Sequence, residues 1–170
     1  MKAGRQSGDA AAGGPPARRV LVIGFGNPAR GDDAIGPAVA REIEKLGLEG
    51  VTVDSDYQLT VEDSAEAAGH DTVVFVDAAV EGREPFSFTR VEPVRQESFS
   101  SHSVSPQAVM GLAEDLFGAE TTAYMLAVRG YSFEMFREEM TPEAGENMRA
   151  ALEFLQSVLR TGAFERVKTE

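Results

Sequence analysis

Two adjacent carboxylates, Asp32 and Asp33, close the stretch "GFGNPARGDD" (24–33). A third acid, Asp77, ends the apolar run "TVVFVDA" (72–78), and His102 sits among serines in "ESFSSHSVSP" (97–106). An Asp/Asp/His set suits a divalent ion of middling softness, such as nickel or zinc, with coordination positions left for water or substrate. The chain has no cysteine, which excludes disulfides, thiolate metal sites and a cysteine nucleophile. Each residue also has an ordinary role open to it. Asp33 suits the first turn of a following helix, where a carboxylate meets free amides, Asp77 suits a strand end, and His102 suits a solvated loop. The other histidine, His70, begins the strand that Asp77 ends, so the two stand roughly 23 Å apart and His70 is a poor ligand candidate.

The elements around these residues bring them together. "RVLVIGF" (19–25) reads as a strand buried on both faces. Ile35, Val39, Ile43 and Leu46 recur at helical spacing, with Pro37 in the first turn and Gly47 at the end. "VTVDS" (51–55) is a second strand, "TVEDSAEAAG" (60–69) a short helix with Thr60 as a candidate cap, and "TVVFVDA" the most apolar strand. "FSFTRV" (86–91) alternates as an edge or antiparallel strand does. Ser105-Pro106 opens a helix with Val109, Leu112, Ala113 and Leu116 on one stripe, and "TAYMLAV" (122–128) is a last core strand. Thr141-Pro142-Glu143 starts a final helix that buries Met148, Ala151, Leu152, Leu155 and Leu159.

This alternation predicts an α/β fold: a single-domain, doubly wound, mainly parallel sheet of about five strands with helices on both faces. The domain is expected over residues 19–162, with a mobile tail over 1–18 and a short C-terminal tail over 163–170. Ligands of such sheets bind beyond the carboxyl ends of the strands, where the strand order reverses, here between the first and third strands. The Asp32-Asp33 loop, Asp77 and His102 all fall on that side.

Composition narrows the function classes. A net charge of −12 argues against nucleic acid as a partner. No uninterrupted apolar run approaches the roughly 20 residues that span a bilayer, so no membrane is expected. Arg18-Arg19 is not followed by a separate apolar segment and cleavage site, and the chain is read as cytoplasmic and monomeric.

Three other chemistries compete for the same residues. Gly24, Gly26 and Ala29 satisfy a degenerate dinucleotide fingerprint after a strand, with Asp54 near the place of a ribose-binding acid, but Asp32 and Asp33 would repel a pyrophosphate. Paired acids after one strand and an Asp after another also suit a magnesium-binding receiver-like signalling module, although "GNPARG" separates the pair from its strand and Arg129-Gly130 follows the fifth. Ser100, Ser101 and Ser103 beside His102 lack the elbow motif of a serine hydrolase.

Taken together, "VIGFGNPARGDDAIGPAVAREI", "VVFVDAAVEG", "SSHSVSPQAVMGLAEDLFG" and "AVRGYSFEMFREEMTPEAGENMRAALEFL" resemble the nickel-iron hydrogenase maturation proteases across residues 19–160. The most specific part is a G-x-G-N-x-x-x-x-D-[DE]-x-x-G block from Gly24 through Gly36. The resemblance implies a nickel-dependent endopeptidase that trims a C-terminal extension from the nickel-loaded precursor of a hydrogenase large subunit. It further implies Asp33, Asp77 and His102 as metal ligands, with Asp33 and Asp77 as catalytic carboxylates. Gly24, Gly26, Asn27 and Asp32 are left to orient the loop or contact substrate. Nickel would be the protein's own or arrive with the substrate, with zinc or another divalent ion as a surrogate, and the attacking group would be metal-bound water or water activated by a carboxylate. The sequence departs from the family in two places: Asp33 stands where Glu is frequent, and "DYQLTVED" replaces a Gly-Thr pair after the second strand. "RGYSFEMFREEM" (129–140) either flanks the cleft or packs Tyr131, Phe133 and Phe136 into the core, and packing is the expectation.

Overall fold

The run "VLVIGF" forms the first strand, β1 (Val20–Phe25), in a computed structural model that describes residues 18–95 and 104–166. The expected N-terminal tail apart from Arg18, the segment with His102 and its neighbouring serines, and residues 167–170 lie outside the described residues. After β1 come a 3-10 turn (Gly31–Ala34), α1 (Ile35–Lys45), β2 (Val51–Asp56), α2 (Asp63–Ala68), β3 (Thr72–Ala79) and β4 (Phe86–Val91). α3 (Pro106–Phe117), β5 (Thr122–Arg129), α4 (Pro142–Thr161) and a 3-10 turn (Phe164–Arg166) complete the order.

The five strands make one sheet in the order β2-β1-β3-β5-β4. β2, β1, β3 and β5 are parallel, and β4 runs antiparallel along the edge of β5, as its alternating sequence predicts. Because β1 lies between β2 and β3, the chain leaves β1 toward one side and returns on the other. This is the reversal that opens a crevice at the carboxyl edge.

Both faces are covered, which is why β1 and β3 carry unbroken apolar runs. Val20 and Val22 face α1 and α4, packing with Ile35, Val39, Ile43 and Leu155. Leu21 and Ile23 face α2 and α3, packing with Ala67, Phe75, Val109 and Met110. Beyond α4 the chain turns back, and Phe164 is buried with its ring stacked 5.5 Å from that of Tyr124.

The helix starts at Ser105 and Thr141 are capped as their sequences predict: each side chain accepts from the N–H three residues on, Ala108 and Ala144. Thr60 is not a cap. α2 starts later, at Asp63, whose carboxylate reaches back to accept from the Thr60 N–H at 2.7 Å, so side chain and backbone exchange the expected roles. Two stripe residues are also exposed. Leu46 falls just past the end of α1, where the chain turns away, and Leu116 (66% exposed) lies on the last turn of α3, beyond the reach of the sheet. Met110 takes the buried place instead.

Close backbone approach between α1 and β1 dictates two glycines. A Cβ on Gly24 would lie 2.1 Å from the Gly36 carbonyl oxygen, and one on Gly36 would lie 2.2 Å from that of Phe25. Gly24→Ala is therefore expected to force the helix off the sheet and cost about 3 kcal/mol of stability, read as a lowered urea midpoint.

Candidate active site

The 3-10 turn that carries Asp32 and Asp33 packs against β3, so the acid-bearing loop rests beside the strand that carries Asp77 near its carboxyl end, two residues before Ala79 closes it. In register, Gly24 of β1 pairs with Val76 of β3, which sets Asp77 one residue past the last paired position at the carboxyl edge. Asp33 and Asp77 thus meet at the crevice that the strand order predicts. His102 lies outside the described residues.

Asp33 is oriented by its own loop. Its carboxylate accepts from the Asn27 N–H at 2.7 Å, while the Asn27 side chain accepts from the Ala29 N–H at 2.9 Å and shapes the turn. Gly26 permits this with φ 147°, and a Cβ there would lie 2.1 Å from the Asp33 carbonyl oxygen. An amide that a bound phosphate would need is already given to a carboxylate, which removes the physical basis of the nucleotide reading. Gly24 and Gly26 serve packing and loop shape.

Asp77 is half-buried and accepts from the Ala78 N–H at 2.8 Å. Burial, opposed by that N–H and aided by the negative charge of Asp33, raises its pKa to about 7. Among the described residues, none of these influences is a basic side chain. Two carboxylates whose charges oppose one another mark a place that a cation would stabilise.

Asp32 does something different. Its side chain is fully buried and accepts from the Tyr131 N–H at 2.7 Å, the Ser132 N–H at 3.0 Å, the Thr141 N–H at 2.7 Å and the Thr141 hydroxyl at 2.8 Å. Burial opposes its ionisation, but these donors together outweigh it and hold the pKa below the ordinary value. A carboxylate so enclosed cannot share a magnesium ion, and Arg129 at the end of β5 donates to the Gly82 and Gly130 carbonyls. The receiver-like arrangement is therefore missing.

A second acidic group went unnoticed in the sequence. Asp54 on β2 with Asp63 and Glu66 on α2 each offer a carboxylate oxygen within 4.8 Å of the others, an arrangement that could hold a metal ion. Burial, followed by repulsion within the acidic group, raises the pKa values of Asp63 and Glu66. Asp63 and Glu66 have the spacing of one helix face, but nothing in the sequence pairs that face with Asp54. His70 lines a different cleft, of about 990 Å³, at the opposite edge of the sheet, beside Thr72 and Arg19 at the start of β3.

The comparisons with solved structures agree with this architecture. The maturation protease HycI of Thermococcus kodakarensis superposes with a TM-score of 0.65 at 25% identity, covering 84% of this chain and 93% of that one. The chain has the fold of the nickel-iron hydrogenase maturation proteases. The hydrogenase maturating endopeptidase HybD of E. coli (TM-score 0.61, 23% identity, 85% of this chain and 94% of that one) shares it. So does a hydrogenase 2 maturation peptidase from a Thaumarchaeota archaeon (0.62, 20%, 84% and 99%). No family model matches the sequence, and no curated protein does so either. No helix among the described residues is long and apolar enough to cross a membrane.

Two consequences of the maturation-protease fold built on these carboxylates can be measured. Asp32→Ala strands the N–H groups of Tyr131, Ser132 and Thr141 and should cost about 3 kcal/mol or more. Because the folded pKa of Asp32 is lowered, its stabilisation is present above the unfolded value of about 3.9 and is lost as pH falls through the folded value. Acid denaturation of wild type should carry this component, and that of the variant should lack it. For Asp77 the sign reverses. Between its ordinary 3.8 and about 7 the folded chain holds a proton that the unfolded chain has lost, so without added metal it loses stability as pH rises through that interval. Asp77→Asn should therefore melt higher than wild type at pH 8 and show no such gain at pH 4.

Proposed function

We propose that this chain is an endopeptidase that removes a C-terminal extension from the nickel-loaded large-subunit precursor of a nickel-iron hydrogenase. The observation that carries the reading is the meeting of Asp33 and Asp77 at the carboxyl-edge crevice of a maturation-protease fold. Each spends one oxygen on a backbone N–H, from Asn27 and Ala78 respectively, and keeps acceptor capacity for an ion, a water or a substrate N–H.

The donor set suits a divalent cation, since the charges of Asp33 and Asp77 oppose one another and no basic side chain among the described residues offsets them at Asp77. Asp33, Asp77 and His102 would hold nickel, with zinc as a surrogate, and the bound ion would polarise the scissile carbonyl and make water a better nucleophile. Asn27 fixes the direction of Asp33, and Asp32 keeps the loop that bears it in place. Where nickel arrives seated in the precursor, it is part of the substrate, and Asp33 or Asp77 takes the proton of the attacking water and returns it to the amine of the departing peptide.

Incubating the protein with precursor, with and without nickel in it, tests the reading. Release of the C-terminal peptide is expected only from the nickel-loaded form, and its absence in both would overturn the proposal. Asp77→Asn and His102→Ala should each slow release at least about a hundredfold. Nickel calorimetry assigns any ion held by the free protein: loss of binding in Asp77→Asn but not in Asp63→Asn is expected, and the reverse would move the ion to Asp54, Asp63 and Glu66.

A further inference from the structure

Tyr131, Phe133 and Phe136 are expected from sequence to pack inward, yet Tyr131 is exposed and Phe136 is the most exposed large apolar side chain among the described residues, at 88%. The loop between β5 and α4 is nonetheless firmly held at its base. Asp32 accepts from Tyr131, Ser132 and Thr141, the Asp32 N–H donates to the Ser132 carbonyl at 2.8 Å, and the Gly31 N–H donates to that of Arg137 at 2.7 Å. Arg30 adds a bond from its Nε to the Phe133 carbonyl at 2.9 Å. Between these fastenings the tip, residues 134–136, stands out with Met135 at 54% exposure beside Phe136.

Phe136 has φ 62°, a left-handed conformation that costs a bulky non-glycine residue backbone strain. Exposure gives it no burial energy in return. Neither backbone preference nor the chain's own core accounts for a phenylalanine there, whereas contact with a second molecule does. The flanks carry Glu134, Glu138 and Glu139, all exposed, against one arginine, Arg137, which is paired to Glu134 at 3.1 Å.

We infer that the Met135-Phe136 tip is a docking knob that inserts into an apolar socket rimmed by lysine or arginine on the folded protein substrate. The inference rests on the peptidase reading for the identity of that substrate. The acidic flanks would be repelled by an anionic membrane, and in a second copy across a two-fold axis they would face their own like charges, so a basic protein surface is the occupant favoured. The Asp32 clamp joins the knob to the loop that bears Asp33. A substrate seated on Phe136 is thereby held at the mouth of the crevice.

Binding of the nickel-loaded precursor, measured by surface resonance with the full-length protein, tests this. Phe136→Gly relieves the strained φ, so it should melt no lower than wild type and still bind at least about tenfold more weakly, the effect of truncating a buried aromatic anchor. Phe136→Leu should recover part of the loss. Leu116→Ala, an exposed apolar residue on α3, should bind as wild type does, and Glu138→Lys with Glu139→Lys should slow association at low salt. Phe136→Gly binding within twofold of wild type would overturn the knob. If wild type binds the precursor without cleaving it, the peptidase reading fails while the Phe136 comparison still decides the docking. If wild type does not bind the precursor at all, the docking inference fails.

Discussion

A buried negative charge must be surrounded by donors, and at Asp32 all four come from one stretch of chain a hundred residues away. That requirement fuses the β1–α1 loop and the β5–α4 loop into one unit. Thr141 extends the unit into the helix layer, because the hydroxyl that donates to Asp32 also accepts from Ala144 and caps α4. The turn that leads into α1 and the start of α4 are therefore anchored to the same carboxylate. With Asp32 committed inward, Asp33 next to it is left to face the crevice, and the two adjacent acids divide into a structural anchor and a chemical group.

The division is set by surroundings. Asp32 meets enough donors to outweigh its burial and is held ionised, whereas burial, aided by the like charge of Asp33 and opposed by a single N–H, pushes Asp77 toward the neutral form. Side chains of one type acquire opposite properties within a few residues of the same sheet edge. The glycines act on the same loop by permitting contact: helix α1 can lie against β1 only where Gly24 and Gly36 have no side chains, and this approach brings the turn carrying Asp33 onto β3.

Much of this is legible in the sequence. The apolar runs of β1 and β3, the alternation of β4 and the caps at Ser105 and Thr141 are local patterns, and local chemistry settles them. The placement of Asp33 and Asp77 at one edge followed from the strand and helix alternation, because doubly wound sheets collect their loops there. What failed was of another kind. Leu46 and Leu116 keep helical spacing but extend past the surfaces that could bury them, and Thr60 has the right type for a cap while the helix starts three residues later. Periodicity says which residues share a face and is silent on how far the opposing surface reaches.

The sequence by itself determined the layer order, the strands buried on both sides and the placement of Asp33 and Asp77 at the carboxyl edge, since each follows from patterns among neighbours a few positions apart. Tertiary structure alone decided that Asp32 is an anchor, that Asp54 meets Asp63 and Glu66, and that Phe136 stands in solvent with a strained backbone. Those outcomes depend on pairings between distant segments, and no local pattern encodes which amides a carboxylate will find across that distance.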